Sequence, residues 1–140
     1  MKKVKTACII DDDPISVMIA KKLMELSNFC SNILVFKDGQ EAVTNLKENH
    51  ASGGAMPEII LLDLNMPVMN GWEFLNSMSP ILEQQKCSIF IVTSSIDRSD
   101  LERARNHKDV VDCVVKPLTH QSLPGILNKC YEQKQSIRRG

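Results

Sequence analysis

Short apolar runs alternate along the whole chain with segments whose apolar residues recur at helical spacing. The runs Ala7-Cys8-Ile9-Ile10, Asn32-Ile33-Leu34-Val35-Phe36, Ile59-Ile60-Leu61-Leu62, Ser88-Ile89-Phe90-Ile91-Val92 and Val110-Val111-Asp112-Cys113-Val114-Val115 read as strands. Their near-continuous hydrophobicity marks strands covered on both faces, as in a parallel sheet. After the first run, Asp13 and Pro14 suit an N-cap followed by proline at the first helical position. The helix they open carries Ile15, Met18, Ile19, Leu23 and Leu26 on one broad face, which is expected to be buried. Asp38-Gly39-Gln40-Glu41 resembles a capping box with Asp in place of Ser or Thr, opening a helix with Ala42, Val43 and Leu46 inward. Residues 49–55 read as a flexible loop by composition. A helix from about Asn70 carries Trp72, Phe74, Leu75 and Met78, and Asp97 and Asp100 suit the first turn of a helix through Leu101 and Ala104. The last helix contains Leu123, Ile126, Leu127 and Cys130. Pro124-Gly125 require either that it start near Ser122 or that its opening be distorted. Five strands alternating with five helices predict a doubly wound α/β sandwich.

The length of 140 residues suits a single domain over 1–140, with a core at about 5–132 and a frayed basic tail over 133–140. Lys plus Arg and Asp plus Glu number 17 each, a balance that argues against a nucleic-acid-binding face. The five cysteines (Cys8, Cys30, Cys87, Cys113 and Cys130) are odd in number and lack a Cys-x-x-Cys pair. They read as reduced thiols of a cytoplasmic protein, not as disulfides or zinc ligands. Three aspartates soon after the basic start exclude a signal peptide, and no segment is long enough to span a bilayer. His50, His107 and His120 lie in a loop, near a helix end and at a helix start, none in a context that suggests a phosphodonor.

The polar residues that end the strands carry the chemistry. Asp11, Asp12 and Asp13 follow the first strand and Asp63 ends the third; Thr93 ends the fourth, and Lys116-Pro117 the fifth. In a parallel sheet all of these face one rim. In the flavodoxin-like strand order 2-1-3-4-5 the switch point falls between the first and third strands, where the aspartates converge. Carboxylates sharing a small pocket cannot all stay ionised without a cation, and an all-oxygen site suits Mg²⁺. A lysine ammonium and a threonine hydroxyl opposite would hold the oxygens of an incoming phosphoryl group, with Asp63 as nucleophile. Each residue taken singly also has a plainer reading, as a helix cap, a solvated charge or a strand-end hydroxyl. The order of all of them at the ends of the right strands is the signal.

These residues resemble the receiver domain of two-component response regulators, of the stand-alone chemotaxis-regulator kind, over essentially the whole chain. The motifs are Ile9-Ile10-Asp11-Asp12-Asp13-Pro14, then Leu61-Leu62-Asp63-Leu64-Asn65-Met66-Pro67 with Gly71, then Ile91-Val92-Thr93-Ser94-Ser95 and Val114-Val115-Lys116-Pro117-Leu118. The resemblance implies a regulatory protein, not an enzyme, whose Asp63 accepts phosphate from a sensor histidine kinase or a histidine phosphotransfer protein and then changes its binding to a downstream protein. It implies Mg²⁺ held by Asp12, Asp63 and the backbone carbonyl of Asn65, with Asp11 acting through water. Thr93 and Lys116 would hold the phosphoryl oxygens, and the Lys116-Pro117 bond would be cis. Asn65 and Ser95 would flank an attacking water and tune the phosphate lifetime. Ile15, Ser16, Ile19, Pro117 and Leu118 are candidate docking positions. No nucleic-acid or membrane partner is implied, and a phosphorylation-dependent dimer stays open.

One departure stands out. The position three before the lysine, usually aromatic in such domains, is Cys113. A thiol cannot fill space as a rotating ring does, so switching would lie in the 94–98 loop and the helix after it. An alternative is a small haloacid-dehalogenase-like phosphatase using Asp11-x-Asp13. Pro14 in place of Gly-Thr, the lack of an acidic pair after the fourth strand and the absence of room for a cap stand against it. A degenerate receiver that binds partners without phosphorylation is opposed by the complete Asp-Asp, Asp, Thr, Lys set. No output domain fits after the last helix, although a fragment of a longer regulator would look identical.

Overall fold

The computed structural model describes residues 3–94 and 97–139, with side chains described as far as Glu132. Five strands, β1 (Val4–Ile10), β2 (Cys30–Phe36), β3 (Ile59–Leu62), β4 (Ser88–Thr93) and β5 (Val110–Val115), form one parallel sheet in the order β2-β1-β3-β4-β5. Between and after them run α1 (Pro14–Ser27), α2 (Gly39–Ala51), α3 (Gly71–Gln85), α4 (Arg98–Asn106) and α5 (Ser122–Arg139). This is the flavodoxin-like doubly wound architecture that the strand and helix alternation predicts.

The strand pleat sorts the core into two layers, because successive side chains point to opposite faces. Cys8, Ile10, Ile60, Leu62, Ile89 and Ile91 meet α2, α3 and α4 through Leu46, Phe74, Leu75 and Ala104. Ala7, Ile9, Ile59, Leu61, Phe90 and Val92 meet α1 and α5 through Ala20, Met24, Leu123, Ile126 and Leu127. All four residues of β3 are buried, and each fully buried Ile or Leu contributes about 1.5–3 kcal/mol.

The starts of α1 and α2 follow their predicted caps, and α3 adds a capping box of its own. The Asp13 carboxylate accepts the Ile15 N–H and Pro14 opens α1. Asp38 accepts the Glu41 N–H at the start of α2, and Asn70 and Glu73 form a full capping box on α3. α5 starts at Ser122, which leaves Pro124 in the first turn, where its missing N–H costs no helical bond.

Three expectations are corrected. In α1 the buried residues are Ala20 and Met24, with Val17 and Leu23 packed beside them, whereas Ile15, Met18 and Leu26 are 64%, 62% and 74% exposed. Small Ala20 lets the helix backbone approach the sheet, so the face is set by fit and not by the largest apolar residues. α2 continues to Ala51, into the predicted loop. α5 is helical through Arg139, where a frayed tail is predicted, because Glu132-Gln133-Lys134-Gln135 favour helix and neither Gly nor Pro intervenes before Gly140. The cysteines are all free; Cys8, Cys113 and Cys130 are buried, and burial pushes the Cys8 thiol well above its usual range. Among the described residues no helix is long and apolar enough to cross a membrane.

Candidate functional site

The carboxyl ends of β1, β3, β4 and β5 bring the sequence-predicted residues together. Pairing continues one residue past the strands. The Asp11 N–H donates to Phe36 O at 3.1 Å and the Asp63 N–H to Ile10 O at 2.9 Å, which sets the two aspartates side by side. The Lys116 N–H likewise donates to Thr93 O at 2.8 Å, so Lys116 is fixed beside Thr93. Asp11, Asp63 and Thr93 are buried, while Asp12 is exposed at the rim.

Among the described residues, Asp11, Asp12 and Asp63 each offer a carboxylate oxygen within 4.8 Å of the others. Such a cluster of hard oxygen donors fits Mg²⁺, which takes a few carboxylates and keeps several waters. Asp13 stands apart. Its carboxylate is used by the Ile15 N–H and the Ser16 hydroxyl, at 3.0 and 2.9 Å, and those bonds hold its pKa below the usual range, the hydroxyl most. Its own N–H donates to Asp11 Oδ1 at 2.9 Å, orienting that carboxylate.

Lys116 is the counter-charge. Its Nζ lies 2.7 Å from Asp11 Oδ2 and 3.5 Å from Asp63 Oδ2. Burial opposes its charge, but the two carboxylates outweigh that and raise its pKa. At Asp63 burial dominates and pushes the pKa up to about 6; Asp11 adds repulsion, and Lys116 and the Asn65 backbone N–H offset part of it. A cavity of about 70 Å³ lies beside these groups, lined by Asp11, Asp63 and Lys116 together with Ile9, Ala20, Leu61, Val92 and Leu118.

The β3–α3 loop is held in place by two glycines. At Gly71 a Cβ would stand 2.6 Å from Asp63 O, and the Gly71 N–H donates to Leu64 O at 2.9 Å. Only a glycine lets the helix start so close to the strand end. At Gly39 a Cβ would stand 2.7 Å from Met69 O, which accepts the Gly39 N–H at 3.3 Å, so the start of α2 braces the same loop. Sequence reasoning quoted Gly71 within its motif but gave Gly39 no part in the site. Its signal was a glycine between a capping Asp and a helix.

The Lys116–Pro117 bond is cis. Of the candidate docking positions, Ile15 is exposed and Ser16 and Ile19 half-buried, but Leu118 is buried in the α1/α5 core layer. Asn65 is exposed beside Asp63, and Ser95 lies outside the described residues.

A family model described as the response regulator receiver domain matches residues 7–128. The chain is 28% identical over 116 residues to the probable methanogenesis regulatory protein FilR2 of Methanothrix harundinacea, covering 82% of this chain and 74% of that protein. It is 29% identical over 122 residues to the transcriptional regulatory protein HptR of Staphylococcus aureus, covering 86% of this chain but 44% of HptR. The crystal structure of a two-component response regulator from Cytophaga hutchinsonii superposes with a TM-score of 0.84 at 30% identity, over 94% of this chain and 99% of that one.

Proposed function

Because the chain belongs to the response regulator receiver domain family, a phosphorylation-dependent signalling switch of two-component systems, we propose that Asp63 is its phosphoacceptor. The observation that carries this reading is the buried Asp63 carboxylate, between the acidic cluster and the Lys116 ammonium 3.5 Å away, at the end of the central strand.

Mg²⁺ would be held by Asp12 and Asp63 directly, with the Asn65 carbonyl, and by Asp11 through water. When bound it supplies positive charge that offsets the carboxylates and the phosphoryl oxygens. An Asp63 oxygen forms the new bond to phosphorus as the P–N bond to a partner's phosphohistidine breaks. The electron pair of that bond stays with the imidazole, which leaves neutral after taking a proton from solvent. Lys116 is pre-positioned to hold one phosphoryl oxygen, moving from Asp11 toward the new charge, and Thr93 at the adjoining strand end meets another. Asp13 keeps Asp11 oriented and takes no part in the chemistry.

The donor is a sensor histidine kinase or a histidine phosphotransfer protein, docking over Ile15, Ser16 and Ile19, and the readout is altered binding of a downstream protein in the cytoplasm. Asn65 and Ser95 tune the lifetime of the aspartyl phosphate. Incubation with Mg²⁺ and a small acyl phosphate, followed by intact-protein mass measurement, tests the reading. A single phosphoryl adduct on the wild type is expected, absent from Asp63→Asn and absent when a chelator removes Mg²⁺. An adduct that persists in Asp63→Asn would move the acceptor elsewhere.

A further inference from the structure

The helix α4 is short and mostly polar, and it packs on β5. Of its residues Ala104 is buried, Asp100 and Leu101 are half-buried, and the others are exposed. A short polar helix with so few apolar contacts belongs to the part of a fold that opens at low free energy. Polar contacts to β5 and to α3 supplement the apolar ones. Arg105 lies 3.9 Å from Asp112 of β5. The Arg103 guanidinium lies over the ring of Trp72, 4.0 Å from its centroid. The same ring is 6.3 Å from that of His107, the residue that caps α4, whose Nδ1 accepts the Asp109 N–H. Trp72 is half-buried against the core layer that contains Ala104, Ile91 and Cys113.

The other end of Trp72 is tied to the acceptor. It follows Gly71, which is bonded to Leu64 O and packed against Asp63 O so closely that no side chain fits. The Asn70–Glu73 capping box makes the first turn of α3 rigid around it. The Asp63 strand end, the root of Trp72, its ring and α4 therefore form one continuous chain of contacts.

We propose that Trp72, gripping Arg103, is the positioning residue that passes the state of Asp63 to α4; this rests on the reading of Asp63 given above. A phosphoryl group on Asp63 draws on Lys116 and repacks the strand end against which Gly71 sits. The helix start is joined to the strand end, because the Gly71 N–H is bonded to Leu64 O and the glycine lies too close to Asp63 O for a Cβ. The ring moves with it, and α4 follows through the Arg103 guanidinium that lies over the ring. The Cys113 thiol on β5 presents no ring of its own in the same layer.

The chain contains one tryptophan, so its fluorescence reads this position directly. The experiment follows Trp72 emission and hydrogen exchange of the α4 amides, in the intact chain, before and after Mg²⁺ and beryllofluoride, a stable phosphoryl mimic. Acyl-phosphate adduct formation is measured in parallel. In the wild type, emission and α4 exchange should change together. Arg103→Ala, at an exposed position, should form the adduct as the wild type does. Its basal α4 exchange should be about two- to fivefold faster, and its response to the mimic should fall by at least about half. Arg103→Lys, which keeps the cation, should recover part of that response. Trp72→Leu should lose it, and the double variant should do no worse than Trp72→Leu alone. If Trp72→Leu fails to fold, the arginine variants decide. An α4 response that is undiminished in Arg103→Ala, or one in the wild type without an emission change, overturns the proposal. An adduct without any α4 response in the wild type overturns it while leaving the Asp63 reading intact. Absence of the wild-type adduct overturns that reading and this inference with it.

Discussion

Val68 is the residue least at ease with its backbone. Its φ of 67° is left-handed, and the Met69 N–H donates to Pro67 O at 2.7 Å, closing a γ-turn around it. A β-branched residue in that region is strained, at a cost of about 1–2 kcal/mol. Its side chain, 80% exposed, gains little burial in return. Val68→Gly should therefore raise the unfolding free energy by about 0.5–1 kcal/mol, after the entropy of glycine is deducted, with an unchanged urea m-value. A loss of stability would mean that the valine side chain holds the loop shut. Asp112 makes a second prediction at this scale. Burial alone would raise its pKa, but the Lys129 ammonium, the Cys113 N–H and Arg105 outweigh burial and lower it. A carboxylate with a depressed folded pKa contributes stability above its unfolded pKa and loses it as pH falls through the folded value. Asp112→Asn should thus cost about 0.5–1 kcal/mol at pH 7, with the difference closing below about pH 4. A cost that stays constant across that range would assign it to packing instead.

Among the elements, those whose character is decided locally were legible. β3 and β5 have the limits the apolar runs predict, because a strand covered on both faces leaves polar residues only at its ends. The strand-end site was legible for the same reason, since parallel pairing sends every carboxyl end to one rim. α1 was not. Its apolar residues encircle more than one face, and the sheet selects Ala20 and Met24 by closeness of fit, which no periodicity records. Ala20→Leu should accordingly cost about 1–3 kcal/mol through overpacking, while Met18→Ser should stay within about 0.5 kcal/mol, both by chemical denaturation. A large loss at Met18 would return that residue to the core. Equally hidden was the preference of Lys116 for Asp11 over Asp63, at 2.7 against 3.5 Å, and the contact of Gly39 with Met69 O. Both join residues far apart in the chain, at distances that depend on how neighbouring loops close.

At the scale of the whole molecule, two packed core layers hold together a rim that is unfavourable on its own. Asp11 and Asp63 are 7% and 6% exposed, and among the described residues the Lys116 ammonium is the cation within 4 Å of both. One positive charge cannot offset two buried negative ones, and an imperfectly compensated buried carboxylate costs stability. Asp63→Asn removes the excess charge while leaving the Lys116–Asp11 pair and the strand register intact. Without divalent cations at pH 7 the variant should therefore be the more stable protein, by about 1–2 kcal/mol, or about 2–6 °C in Tm. Millimolar Mg²⁺ should reverse much of that difference. It stabilises whichever form binds it, and the wild type keeps all three carboxylates of the cluster. Thermal melts of both proteins with Mg²⁺ and with chelator check both halves. A variant less stable than the wild type in chelator would mean that the bonds from the Asn65 N–H and Lys116 outweigh the repulsion from Asp11. An equal Mg²⁺ gain in the two proteins would place the cation away from Asp63. The expected crossing, the Asp63 carboxylate costing stability alone and contributing it with the metal, is what the proposed phosphoryl-accepting role predicts of a rim selected for more than stability.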